Sequence, residues 1–211
     1  FCNGLRADQD TYKVYLSGGD TTSTSGRMSF VITMIGTVPA GKAVKRSTAR
    51  IGDEIWVTGT IGDAAMGLLA LKNTLPKIDA AARDALVQRY YIPQPRNRIA
   101  TALQDLATSA IDISDGLAAD LRHICKASGV GAQVLASKIP VSDHALSLLN
   151  TNAVPIEDLI SGGDDYEIMF TTNPGKDIEI SILSNNFNLK ISKIGTLTAN
   201  PEIGFIDQDG E

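Results

Sequence analysis

Several kinds of residue are scarce in this sequence, and each shortage excludes a class of protein. The two cysteines, Cys2 and Cys125, lie far apart and lack any C-x-x-C or Cys/His spacing. A zinc site and a disulfide-stabilised fold are therefore not expected. No apolar run approaches the eighteen or so residues that a membrane-spanning helix needs. We accordingly expect a cytoplasmic protein that does not act at a membrane.

The charge balance and the missing motifs exclude further classes. The net charge is −5, whereas a protein that binds the phosphate backbone of nucleic acid needs a basic face. Neither the Walker pattern G-x-x-x-x-G-K-[ST] nor the HRD and DFG triplets of protein kinases occurs, so phosphoryl transfer would need another scaffold. The two histidines, His123 and His144, lie in stretches with a helical pattern, where a histidine is usually structural. General-base catalysis by histidine is therefore poorly supported.

The stretch IDISDG, residues 111–116, places two carboxylates and a hydroxyl where an apolar strand is predicted to run into a helix. Side chains alternate along a strand, so Asp112 and Ser114 should share one face, and Asp115 should open the next helix. A helix start carries unpaired N–H groups and attracts phosphate, and two nearby carboxylates could hold Mg²⁺. Since Asp and Ser are also the preferred helix caps, a purely structural interpretation stays open from these residues alone.

Two other turns repeat the combination of paired glycines and acids. GGDT at 18–21 presents Asp20 and Thr21, and GGDDYE at 162–167 presents Asp164 at the start of a predicted strand. Glycines let a backbone approach a ligand closely, although a plain turn is the alternative interpretation. The basic run KAVKRSTAR at 42–50 stands out in an acidic chain, yet such runs usually form a solvated face.

Predicted strands and helices alternate irregularly, which indicates an α+β protein whose mixed β-sheet has helices packed on it. The apolar, β-branched segment 28–38 predicts a buried strand, and KVYLSGG at 13–19 predicts a short one. Pro39, Ala40 and Gly41 then interrupt the pattern. We therefore place a domain boundary between residues 1–38 and 39–211.

Five motifs in register resemble the thiamine-monophosphate kinases: GGDTTST, KRSTARIGDEIWVTGTIGDAAMGL, PQPR, IDISDGLAADLRHI and GGDDYEIMF. This family belongs to a superfamily with aminoimidazole ribonucleotide synthetase, selenophosphate synthetase and a hydrogenase maturation protein. The resemblance covers essentially the whole chain. It implies the superfamily's C-terminal domain at 39–211 and, at 1–38, the last strands of an N-terminal α/β domain for nucleotide binding and dimerisation. It also implies that most of that N-terminal domain and the extreme C-terminus lie outside this chain.

The resemblance further implies a reaction, its cofactors and a set of site residues. The reaction is the ATP-dependent phosphorylation of thiamine monophosphate to thiamine diphosphate by direct in-line transfer, assisted by Mg²⁺, in a homodimer. The implied residues are Asp20, Asp112 and Asp115 for the metal, Arg46, Ser114 and Thr21 for ATP, and Asp164 for the thiamine substrate, with Asp112, Asp115 and Arg46 also counted as catalytic. At position 164 the family usually has Glu, so the shorter Asp164 would reach the substrate less directly.

Two alternatives remain open from the sequence. One is a related ATP-dependent synthetase of the same superfamily, and the other is a non-catalytic, dimerising module that binds a nucleotide. We also expect the 211-residue chain alone to be nearly inactive, because the resemblance assigns part of the active site to residues outside it.

Overall fold

The computed structural model describes residues 1–76 and 78–207. The chain divides into two compact units, Phe1–Ala40 and Gly41–Glu211, which we call the N-terminal unit and the main unit.

The N-terminal unit contains one helix, α1 (Cys2–Tyr12), and the aromatic rings of Phe1 and Phe30 stack with their centroids 4.2 Å apart. The rest of this unit, all of which is described, forms neither helix nor strand, and every residue of 28–38 is exposed. The strands predicted at 13–19 and 28–38 therefore do not form in this structure. The physical reason is that a strand needs a neighbour to pair its backbone groups and cover its apolar face, and this unit supplies none.

The main unit carries six strands and seven α-helices among its described residues. The strands are β1 (Glu54–Thr58), β2 (Ser109–Ile113), β3 (Gly131–Leu135), β4 (Glu167–Thr172), β5 (Ile191–Thr198) and β6 (Ile203–Ile206). The helices are α2 (Asp63–Leu71), α3 (Ala80–Tyr91), α4 (Ala100–Leu106), α5 (Leu117–Ser128), α6 (Asp143–Asn150), α7 (Ile156–Ser161) and α8 (Asp177–Phe187), with single 3₁₀ turns at Asn97–Ile99 and Ala136–Lys138.

All six strands join one sheet in the order β2-β4-β1-β5-β3-β6. Neighbouring strands are antiparallel except for β3 and β6, which run parallel. The predicted α+β class with a mixed sheet is thereby confirmed. Because β2 is an edge strand beside β4, the segments that follow β2 and precede β4 come together at one corner of the sheet.

The two faces of the sheet bury different apolar clusters. On one face Ile113 and Met169 pack with Leu121 of α5, which is fully buried. On the other face Trp56 and Phe170 pack against α4 and α8. A third cluster joins α2, α3, α6 and α7 beside the sheet. These clusters fix α2 and α5, the two helices that begin near this corner of the sheet.

Within the described part of the chain, no helix combines the length and the apolar character needed to cross a membrane.

Candidate functional site

The pairing of β2 with β4 brings the IDISDG and GGDDYE turns into direct contact. Ile113 lies opposite Glu167 at the end of the ladder. Beyond it, the backbone N–H of Tyr166 donates to the Ile113 carbonyl at 2.8 Å, and the N–H of Asp164 donates to the Ser114 carbonyl at 2.9 Å. Two motifs that are about fifty residues apart in the sequence therefore form one surface.

Glycines make this close approach possible. A Cβ on Gly163 would collide with the Ser114 carbonyl oxygen. Gly116, with a φ of 104°, lies in a region that L side chains rarely adopt, and a Cβ there would lie 2.8 Å from the Ser161 carbonyl. Gly163 and Gly116 are thus explained by the close approach of these two segments, whereas a Cβ on Gly162 would collide with Ala65 of α2.

The two turns carry three carboxylates, those of Asp112, Asp115 and Asp164, which we call the acidic corner. Asp112 and Asp115 are exposed and Asp164 is half-buried. Among the described residues, none of these three carboxylates forms an ion pair with a lysine, arginine or histidine. Their mutual repulsion is therefore left for solvent or a bound cation to offset.

The Tyr166 hydroxyl lies close to all three of these carboxylates. It donates a hydrogen bond to Asp164 Oδ1 at 3.3 Å. Burial, together with the charge and hydrogen bond of Asp164 and the charges of Asp112 and Asp115, raises the pKa of Tyr166. The phenol therefore stays neutral at physiological pH and acts as a hydrogen-bond donor to the acidic cluster.

The GGDDYE turn stores backbone strain. Asp164 and Tyr166 both have a positive φ, 71° and 50°, and a left-handed tyrosine is uncommon. Each such residue costs about 1 kcal/mol or more and persists only where its surroundings hold it in place. Here the Asp164 and Tyr166 N–H groups donate to the Ser114 and Ile113 carbonyls and hold the turn in place. The conformation of the turn therefore depends on the IDISDG segment.

The remaining acids of GGDDYE point into the protein. The Asp165 carboxylate is fully buried and accepts hydrogen bonds from the backbone N–H groups of Gly62, at 2.8 Å, and Ala64, at 3.4 Å, at the start of α2. Burial raises the pKa of Asp165 to about 7, although these hydrogen bonds oppose the shift. Asp165 thus ties the turn to the first residues of α2.

Glu167 is also fully buried, and it is neutralised by two arginines. The guanidinium of Arg96, from the PQPR motif, binds both carboxylate oxygens at 2.6 and 2.5 Å, and Arg89 of α3 adds a third contact at 3.1 Å. The hydroxyl of Thr58 donates to the same carboxylate at 2.7 Å. Gly59 directly follows β1, and a Cβ there would collide with the Glu167 carboxylate, so this glycine has a structural role.

Two further residues of α5 belong to the corner, and sequence reasoning missed them. One ligand-type atom from each of Asp115, Asp120 and His123 lies within 4.8 Å of the other two. His123 is exposed rather than packed in the interior. The spacing of Asp120 and His123, three residues apart on a helix that starts next to Asp115, was the signal available in the sequence.

Arg46, which is also in the main unit, does not lie at this corner. The Arg46 carbonyl accepts a hydrogen bond from Ser128 at the last turn of α5, whereas Asp115 precedes the first turn. A helix of twelve residues is about 18 Å long, so the structure does not bring the Arg46 backbone to the acidic corner. In the N-terminal unit, Asp20 and Thr21 are exposed, and the Thr21 N–H donates to Asp20 Oδ1 at 2.8 Å. That Arg46, Asp20 and Thr21 take part in the same site as Asp112 and Asp115 stays a prediction.

Comparison with known proteins identifies the class. Residues 50–208 match the family described as AIR synthase related protein, C-terminal domain. The chain therefore belongs to this family, and the matched region lies within the main unit and includes the acidic corner.

Within that class the chain is similar to thiamine-monophosphate kinases. The kinase of Escherichia coli (strain K12) is 42% identical over 200 residues, which cover 95% of this chain and 61% of that protein. A crystal structure of the Stenotrophomonas maltophilia K279a kinase, 35% identical, superposes with a TM-score of 0.74 over 82% of this chain and 55% of that one. The protein named AaThiL, solved in complex with AMPPCP and TMP, is 31% identical with a TM-score of 0.66 over 80% of this chain and 51% of that one. The predicted resemblance is confirmed, and this chain spans about three fifths of the curated relatives' length.

Proposed function

We propose that the protein containing this chain transfers the γ-phosphoryl group of ATP to the phosphate of thiamine monophosphate in a reaction that requires Mg²⁺. The observation that carries the proposal is the joining of IDISDG and GGDDYE into one corner, where Asp112, Asp115 and Asp164 have no basic partner among the described residues. The similarity to thiamine-monophosphate kinases supports the choice of substrate.

The donor atoms at this corner fit Mg²⁺. The ion prefers oxygen ligands and is usually bound through one or two carboxylates together with water and substrate phosphates. Asp112 and Asp115 supply such carboxylates at an exposed position that a nucleotide could reach. Bound there, Mg²⁺ would offset the repulsion between the two phosphate-bearing substrates.

The chain's own residues would then position the reactants. Asp112 and Asp115 would hold the cation, and Ser114, directly after β2, would lie beside the nucleotide phosphates. Asp164 and the Tyr166 hydroxyl, which are hydrogen-bonded to each other, would contact the acceptor substrate. Asp164 stands at the position where the family usually has Glu. The attacking phosphate monoester has a second pKa of about 6, so it is largely ionised at neutral pH and needs no general base. The proposal also assigns ATP contacts to Arg46 and Thr21 and a metal contact to Asp20.

The experiment measures thiamine diphosphate formed from thiamine monophosphate, ATP and Mg²⁺ by the whole protein. Asp112→Asn and Asp115→Asn should each lower kcat by about 10²-fold or more, because a preorganised charge contact is lost, while the fold survives. Asp143→Asn, an exposed aspartate in the first turn of α6, is the matched control and should leave kcat unchanged. Near wild-type turnover by Asp112→Asn would show the metal assignment to be wrong.

Two outcomes would favour the alternatives. If calorimetry detects no Mg²⁺-dependent binding of ATP to the whole protein, a non-catalytic module is the better interpretation. If ATP binds but thiamine monophosphate is not phosphorylated, a related synthetase activity is favoured.

Residues 1–211 alone should be nearly inactive, and robust turnover by them would contradict our proposal that residues outside this chain complete the site.

A further inference from the structure

Asp120 occupies an unusual place for a carboxylate. It lies in the first turn of α5, is 2% exposed, and has no ion-pair partner among the residues that the structure describes. One of its oxygens, Oδ2, accepts hydrogen bonds from the backbone N–H groups of both Ser114, at 2.9 Å, and Asp115, at 3.0 Å. The side chain therefore reaches back from the helix to the turn that precedes it.

This placement costs free energy on two counts. Burial and the neighbouring charges of Asp115 and Asp112 raise the pKa of Asp120, which means that both disfavour its ionised form. What the carboxylate provides in exchange is one oxygen that accepts hydrogen bonds from two consecutive backbone N–H groups, which fixes the conformation of that turn. Both N–H groups lie ahead of the helix, which begins at Leu117, so the two hydrogen bonds act on the turn that carries Asp115.

We propose that Asp120 is a positioning residue for the metal site: it holds the Ser114–Asp115 backbone in the conformation in which Asp112 and Asp115 can bind one cation. This inference rests on the proposed function. Asp120 acts through the turn, and its role depends on an acceptor oxygen at Oδ2 rather than on its negative charge.

The contrast between two substitutions tests this role. Asp120→Asn keeps an acceptor oxygen for the two N–H groups but removes the charge, whereas Asp120→Ala removes both. Mn²⁺, a spectroscopic substitute for Mg²⁺, is titrated into the whole protein and free Mn²⁺ is followed by electron paramagnetic resonance. We expect Asp120→Ala to raise the Mn²⁺ dissociation constant by about 10- to 100-fold, the usual effect of losing a group that orients a ligand. Asp120→Asn should stay within about threefold of wild type.

A matched control separates positioning from general destabilisation. Asp53 is also 2% exposed and also accepts two hydrogen bonds at one oxygen, from the Arg50 N–H and the Thr108 hydroxyl, but it does not contact the IDISDG turn. Asp53→Ala should lower the melting temperature comparably and leave Mn²⁺ affinity unchanged. Should Asp120→Ala give no folded protein, Asp120→Ser takes its place, because the shorter hydroxyl cannot reach both N–H groups.

Three results would overturn the inference. Unchanged Mn²⁺ affinity in Asp120→Ala would show that the hydrogen bonds do not support the site. An equal loss in Asp120→Asn and Asp120→Ala would make Asp120 a charged ligand instead of a positioning residue. An equal loss in Asp53→Ala would attribute the effect to stability. Since Mn²⁺ binding is measured without thiamine monophosphate, a failure of the proposed kinase activity in wild type is recognised separately.

Discussion

The acids of the corner fall into two groups that the sequence does not distinguish. Asp165 and Glu167 are fully buried and are satisfied, one by the start of α2 and the other by Arg89 and Arg96. Asp112 and Asp115 are exposed and have no basic partner among the described residues. An acid-rich motif can therefore contain compensated and uncompensated carboxylates side by side. The presence of compensating groups, more than the residue type, separates the two groups of acids.

The largest effect should come from breaking the buried ion pairs. Glu167→Gln removes the charge that neutralises Arg96 and Arg89 while preserving the volume of the side chain. Leaving buried charges without a partner costs about 3–5 kcal/mol, so we expect a loss of this order in the free energy of unfolding. Urea denaturation monitored by circular dichroism measures it. Glu157→Gln, on the exposed first turn of α7, is the control and should change stability by less than about 0.5 kcal/mol.

The second effect is a dependence on pH that Asp165 introduces. Its pKa rises from 3.8 in the unfolded chain to about 7 in the folded protein. Between these two values the folded state keeps a proton that the unfolded state has lost, so stability falls as pH rises, by at most about 1.4 kcal/mol per pH unit. Above pH 7 both states are ionised and the difference no longer changes.

The Asp165→Asn variant isolates this contribution, since it cannot titrate. The free energy of unfolding of wild type minus that of the variant should decrease from pH 5 to pH 7 and then level off by pH 8. Asp158→Asn, an exposed aspartate of α7, provides the reference for ordinary surface titration. A difference that stays constant over this range would mean that Asp165 is ionised in the folded protein throughout.

The smallest effect on stability should come from the exposed acids. Asp112→Asn removes one of several neighbouring negative charges and breaks no hydrogen bond that the structure records, so unfolding without Mg²⁺ should change by less than about 0.5 kcal/mol. Saturating Mg²⁺ should stabilise wild type more than the variant in the same measurement, because the ion would bind the folded protein through the Asp112 carboxylate that the variant lacks. Equal stabilisation of both proteins by Mg²⁺ would remove Asp112 from the metal site.

Much of the main unit could be predicted because its signals are local. The alternation in β4, the apolar stripe of α5 and the glycine that ends it are set by neighbours in sequence, and the structure has these elements. Helix α7, six residues long, was not predicted, because its periodic pattern is too short to recognise. The strands expected at 13–19 and 28–38 required partners that no local pattern can supply.

Residue patterns along the chain establish the fold class and the family. They also place IDISDG on a strand-to-helix turn and GGDDYE on a turn-to-strand junction. Tertiary structure alone decided that β2 and β4 are neighbours, and therefore that the two motifs form one surface. It also decided which acids of the two motifs are compensated and which form no ion pair among the described residues, and that Asp120 reaches back to the turn. The physical reason is that alternation and helical period depend on adjacent residues, whereas burial and compensation depend on groups brought from distant parts of the chain, such as Arg96 to Glu167.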